Sequence, residues 1–307
     1  MDSPSGEQLE IRHGVQAAVV TEVGAGLRTY SAGRREIVDG YGPDEEASSG
    51  RGQVLIPWPN RLEDGSYEFD GEHHQLPLTE PEHRNAIHGL VRGVPWTVTE
   101  HEERRVVLEL ALGPHPGYPF SLALAIEYAL SEDGLAVRTT ATNVGGDACP
   151  YGSGAHPYLA VTTETVDDML LRVPARTVLQ SDERGLPVGS TRVDEAGLDF
   201  RIARPIGDAI LDHCFTDLER TPDGRARVEL HSPDGVFSTL WVDEAYPYLM
   251  LFTGDPLPDV ARRSLAVEPM TCAPNAFRSG AGLVTLEPGE STRSAWGIIP
   301  SIWARLA

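Results

Sequence analysis

Alternation with a period of two constrains this chain more than any other feature. Along Phe120, Leu122, Leu124, Ile126, Tyr128 and Leu130 every second residue is apolar; the turn Ser131-Glu132-Asp133-Gly134 follows, and Leu135, Val137, Thr139 and Ala141 resume the alternation. Successive side chains of a strand point to opposite faces, so this pattern makes a hairpin with one buried face. Residues 65–76 read as two short strands around Asp70-Gly71, and Val106, Leu108, Leu110 and Leu112 line one face of another. Phe237, Thr239 and Trp241 follow the turn Pro233-Asp234-Gly235, and residues 15–23, 170–173 and 289–296 complete the predicted strands. No stretch of about 12 residues carries a 3.6-residue period, and Gly or Pro interrupts the chain every ~8–12 residues, the spacing of sandwiches and barrels. The predicted class is all-β, in large, mostly antiparallel sheets.

A chain of 307 residues can bury roughly 75% of its unfolded surface and needs no disulfide or metal to hold it. No fixed-period repeat or low-complexity linker divides it. The richest candidate boundary, residues 183–199, is polar and Gly-punctuated and reads equally as one long loop. The expectation is a single domain over residues 1–307, with residues 1–10 a flexible N-terminal stretch. Cys149, Cys214 and Cys272 form an odd set without a C-x-x-C pair and read as reduced thiols. The start MDSPSGEQLEIRHG lacks a basic segment followed by an apolar one, and nowhere do about 18 apolar residues run together, so a cytoplasmic protein without a membrane partner is expected. Asp+Glu total 46 against 25 Lys+Arg, a net charge of −21 that repels a phosphate backbone. Nucleic acid is therefore not an expected partner, while a solvated acidic surface by itself names no substrate.

Four short stretches set titratable residues beside Gly and Pro in apolar surroundings. In Ile56-Pro57-Trp58-Pro59-Asn60-Arg61-Leu62, Arg61 can fix a polar ligand with its rigid donor fork or form a structural ion pair. In Arg84-Asn85-Ala86-Ile87-His88-Gly89, His88 is either a satisfied loop histidine or a proton carrier near pH 7. His73, His74, His83 and His88 match no helix or finger ligand spacing, so no metal is expected. In Gly152-Ser153-Gly154-Ala155-His156-Pro157-Tyr158, Pro157 biases His156 towards an extended backbone, and the small residues leave room for a ligand or simply make a turn. Glu268 ends the apolar run before Pro269, where burial without a partner raises a carboxylate's pKa and makes a base for neutral pH. Asp212 also sits between apolar residues; for both acids the competing reading is a strand-end cap.

Taken in order, Asn60-Arg61, His88-Gly89, His156-Pro157-Tyr158, Asp212-His213 and Val267-Glu268-Pro269 resemble the aldose 1-epimerase (galactose mutarotase-like) family, over residues 12–300. The resemblance implies a β-supersandwich and cofactor-free interconversion of the α and β anomers of a free aldose, by a monomer or homodimer. It implies Glu268 as the base at the C1 hydroxyl, His156 as the acid at the ring oxygen and His88 as a second histidine supporting charge there. It also implies Arg61, Asp212 and Asn60 as substrate-binding residues and no metal. The chain departs from the common pattern at Met250, where many members carry Gln, at Leu159-Ala160 and at Pro269-Met270. These variants resemble a bacterial subgroup with largely undefined substrates.

Ring opening needs proton removal at one oxygen and donation at another, which a carboxylate and an imidazole supply; each such group is worth about 10²–10⁴ in rate. A hexose-6-phosphate 1-epimerase is the alternative enzyme, drawing on Arg84, Arg92, Arg262 and Arg263 for a dianion. A non-catalytic sugar-binding module is the alternative outside enzymes.

Overall fold

The computed structural model describes residues 3–258 and 260–301. Two large antiparallel sheets dominate. One, of twelve strands, runs from Gln8–His13 through Gln16–Thr21, Leu27–Ala32 and Arg35–Val38 to Tyr158–Ala160. It continues through Ser264–Met270, Tyr248–Phe252 and Asp212–Leu218 to Ala175–Ser181 and Pro187–Arg192. The other, of nine strands, is built around Leu122–Ser131, Gly134–Asn143 and Ser291–Pro300. Among the described residues the only α-helix is the single turn Ala276–Ser279, and no helix is long and apolar enough to cross a membrane.

The predicted all-β class is the one observed, and the reason is visible strand by strand. Leu122–Ser131 alternates buried and less buried positions over its whole length and pairs with Gly134–Asn143 in the expected hairpin. Inward side chains of both sheets, from Leu9 and Ile11 to Ile126 and Ile298, share one apolar core. Residues 183–199 are not a linker: they contain Pro187–Arg192, paired with Ala175–Ser181. Gln8, Leu9 and Glu10, grouped by sequence with the N-terminal stretch, pair with Thr21, Val20 and Val19. The three cysteines are free and buried.

The middle of the twelve-stranded sheet places the chemistry. Ser264–Met270 is buried at all seven positions, with Leu265 and Val267 in the core between the sheets. Ala266, Glu268 and Met270 therefore point to the opposite face. Register sets Glu268 beside Met250 and Met250 beside Cys214, and Tyr158 beside Ala266. A slip of one residue would put Glu268 in the core and Val267 on the site face, so burying Val267, Leu251 and Leu159 also locks the carboxylate's direction. Each such side chain contributes about 1.5–3 kcal/mol.

Candidate active site

Glu268 and His156 meet on the outer face of that sheet. His156 Nε2 lies 3.4 Å from Glu268 Oε1, and both residues are buried, at 5% and 2% exposure. His156 stands where the chain crosses from Gly154–Ala155 to Tyr158–Ala160. Its backbone N–H donates to the Gln53 carbonyl and its carbonyl accepts from Gly52 N–H, each at 3.0 Å. Gly50 lies against the imidazole: its φ is +78°, and a Cβ there would sit 2.4 Å from His156 Cδ2, so no other residue fits without moving the ring.

His88 closes the other side, its ring meeting His156 edge-on at 5.4 Å. Asn60 holds it from the backbone. The Asn60 N–H donates to His88 Nδ1 at 3.2 Å, and the His88 N–H donates to the Asn60 carbonyl at 3.0 Å. An occupied Nδ1 lone pair leaves the proton of a neutral imidazole on Nε2, so His88 offers the site a hydrogen-bond donor. Asn60 is itself buried, and its Oδ1 accepts from the Arg61 N–H at 2.8 Å.

Arg61 is held by a residue that sequence reasoning missed. Its Nε donates to Glu80 Oε2 and its Nη2 to Glu80 Oε1, both at 2.9 Å, a two-point pairing that fixes the guanidinium plane. Asn85 Nδ2 donates to the same carboxylate at 2.9 Å. Gly185 packs on the fork, where a Cβ would come within 2.4 Å of Nη1. Asp212 opens its strand opposite Phe252, with its charge felt by Arg61 and Glu268. No local pattern marks Glu80; it reaches Arg61 through the pairing of Arg61–Glu63 with Asn85–Ile87.

Burial dominates the electrostatics. It pushes the His156 imidazole down to about 3, its own backbone opposing and Arg51 and Arg92 adding to the shift. It holds His88 well below the ordinary range, with His156, Arg92 and Arg61 contributing. It drives Glu268 well above the ordinary carboxylate range, Asp212 adding and Arg61 opposing. Asp212 is raised by crowding and lowered by Arg61, a shift that counts for less because solvent reaches it. Burial works against the charge on Arg61, yet Glu80, then Asp212 and Glu268, raise its pKa. For His156 and Glu268, burial favours two neutral groups and contact favours an ion pair; either way the pair carries one proton.

Glu268 Oε2 and His156 Nδ1 are buried without a hydrogen-bond partner among the described residues. Buried polar groups are normally paired, so these two atoms keep unused hydrogen-bonding capacity. A hollow of about 510 Å³ lined by Thr21, Glu46, Gln53, Gly89 and Arg92 adjoins the His88 loop, but Glu268, His156 and His88 do not line it. Donor atoms of His88, His156 and Glu268 lie within 4.8 Å of one another, and they are the candidates for a cation. His88 presents its N–H there, so coordination through Nε2 requires a tautomer shift that gives up the Asn60 bond. The other histidines named from sequence lie elsewhere: His74 packs on Tyr67 and Phe120, and His83 sits 3.3 Å from Glu80.

The sequence model of the aldose 1-epimerase family matches residues 7–298. This chain belongs to that family. The uncharacterized protein YihR of Escherichia coli K12 is 36% identical over 296 residues, 96% of this chain and 93% of its own. Among solved structures, the GalM/aldose epimerase homologue from C. elegans superposes with a TM-score of 0.86 at 18% identity, covering 96% of this chain and 98% of that one. Galactose 1-epimerase from Lactobacillus acidophilus superposes at 0.80 with 23% identity, covering 95% and 93%. At those identities the structural likeness establishes the fold.

Proposed function

We propose that the protein is an aldose 1-epimerase acting on a free monosaccharide, with Glu268 and His156 as its proton-transfer pair. The observation that carries this reading is the 3.4 Å contact between a buried carboxylate and a buried imidazole holding a single proton. In the reactive form Glu268 is the carboxylate and His156 the imidazolium; the neutral form stores the same proton across the contact. Glu268 takes the proton of the C1 hydroxyl, His156 gives its proton to the ring oxygen, and the bond from C1 to that oxygen breaks to leave an aldehyde. Rotation about C1–C2 presents the other carbonyl face, and the reverse transfers close the ring. His88 donates its Nε2 proton in a hydrogen bond to the oxygen where charge develops. Arg61 and Asp212 hold hydroxyls, and Asn60 contributes by holding His88 and the Arg61 backbone.

The phosphorylated-substrate alternative loses three of its four arginines to carboxylates. Arg84 pairs with Asp64 at 3.2 Å, Arg262 with Asp167 and Asp255 at 2.7 and 2.8 Å, and Arg263 with Asp39 at 2.9 Å. Arg92 donates to Gln53 Oε1 at 3.3 Å and to the Ile87 carbonyl at 3.2 Å. All 25 Lys+Arg residues of the chain are in fact Arg. The deciding experiment follows the optical rotation of pure anomers of glucose, galactose, xylose and arabinose and of their 6-phosphates. Acceleration of a free sugar supports the proposal; binding without acceleration of any of them sinks it in favour of a sugar-binding module.

A further inference from the structure

Behind His156 stands a buried cation that the proton transfers do not use. Arg51 is only 2% exposed, its guanidinium lies 4.3 Å over the Tyr158 ring, and that ring stacks on His156 at 5.0 Å with an interplanar angle of 8°. Guanidinium, phenol and imidazole thus form one column, with His88 edge-on at its end. The far end is anchored: Arg51 Nη2 donates to Asp39 Oδ2 at 3.1 Å, and Arg263 and Ser264 donate to the same carboxylate at 2.9 and 2.7 Å. The Tyr158 hydroxyl donates to the Ser49 carbonyl at 2.8 Å, tying the middle of the column to the loop that carries Gly50 and Arg51.

The ion pair alone does not account for Arg51. Nη1 is buried and without a hydrogen-bond partner among the described residues, an arrangement that costs about 1–3 kcal/mol or more for a charged group. A planar cation over an aromatic face is attracted by the ring, and the flat stack restricts rotation of the imidazole below it.

We propose that Arg51 is a positioning residue of the epimerase site, acting through Tyr158 to hold the His156 ring against Glu268. The inference rests on the epimerase reading for its kinetic part only. The groups facing His156 are Glu268, His88, Tyr158 and, through its field, Arg92; Asp39 and Arg263 face Arg51 from behind. Contact with Glu268 and the backbone of His156 itself favour the imidazolium. An imidazolium formed against Arg51 and Arg92 is a stronger acid than one in water, which speeds donation to a weakly basic ring oxygen.

Arg51→Met keeps the length of the side chain and removes its charge, and Arg51→Lys restores charge without the flat fork. In folded Arg51→Met, kcat should fall about 10-fold with KM nearly constant. The nitrogen NMR signals of His156, assigned by their loss in His156→Asn, should titrate at a higher pH than in the parent. Arg51→Lys should return that titration towards the parent while kcat stays low. Unchanged kcat and an unchanged His156 titration in folded Arg51→Met would overturn the proposal. Should that variant not fold, Tyr158→Leu carries the test: it must lower kcat at constant KM and alter the His156 titration, and parental values for both reject the column. A parent enzyme that accelerates no sugar refutes the function instead, and the His156 titration still judges the column.

Discussion

At the scale of single residues, the site is a set of buried groups whose charges are restrained by where they sit. Glu268→Gln removes the proposed base while keeping shape, so mutarotation should drop by at least about 10²-fold with sugar affinity nearly intact; a polarimeter and a titration calorimeter decide it. The same change removes a buried ionisable group, so the Glu268→Gln variant should melt no lower than the parent in a thermal scan. His156→Asn should lower kcat more than it raises KM. The pH dependence has a definite sign. A second proton on the pair must sit beside Arg51 and Arg92 in a buried place, which puts the acid limb below the ordinary imidazole value of 6.5. Loss of the last proton leaves a buried carboxylate near Asp212, which puts the alkaline limb above the ordinary 4.5. The rate above background should therefore not begin to fall on the acid side until below pH 6.5, and a fall setting in at or above that pH contradicts the shared-proton account. For stability, the depressed His156 value means that its contribution is complete above about 6.5 and is lost as pH falls towards about 3.

At the scale of elements, loops supply the walls and one strand supplies the floor. Glu80, which precedes the strand paired with that of Arg61, is the prop for the guanidinium; Glu80→Ala should raise KM about 10-fold with a smaller change in kcat, because Arg61 then loses both of its anchored bonds. Steady-state kinetics across a sugar series measures this. Much of the nine-stranded sheet was legible in the sequence because its strands have one wet face and one dry face, as in Leu122–Ser131. The strands carrying the site were not, since Ser264–Met270 is buried on both faces and shows an apolar run in place of alternation. Five motifs singled out Arg61, His88, His156, Asp212 and Glu268, in chain order. Glu80 and Arg51 escaped because their partners are set by pairing between distant segments, and the stacking of Tyr158 on His156 has no mark in the motif that contains both.

At the scale of the whole molecule, we read the chain as one domain, because strands from Gln8–His13 to Ser291–Pro300 contribute to a single core. A net charge of −21 on that body is a self-repulsion that salt relieves, so the melting temperature should rise between about 10 and 150 mM sodium chloride as the Debye length shortens from roughly 30 to 8 Å. A flat response would mean that the ion pairs of the surface already neutralise the field locally. The complete use of arginine for the basic side chains has its own consequence. Reducing sugars glycate proteins by condensing their aldehyde with the ε-amine of lysine, and a protein proposed to open such sugars turnover after turnover presents none. Incubation with a ring-opened sugar and cyanoborohydride should leave every internal peptide unmodified in a mass spectrum, which makes this chain durable in the presence of the intermediate it would itself generate.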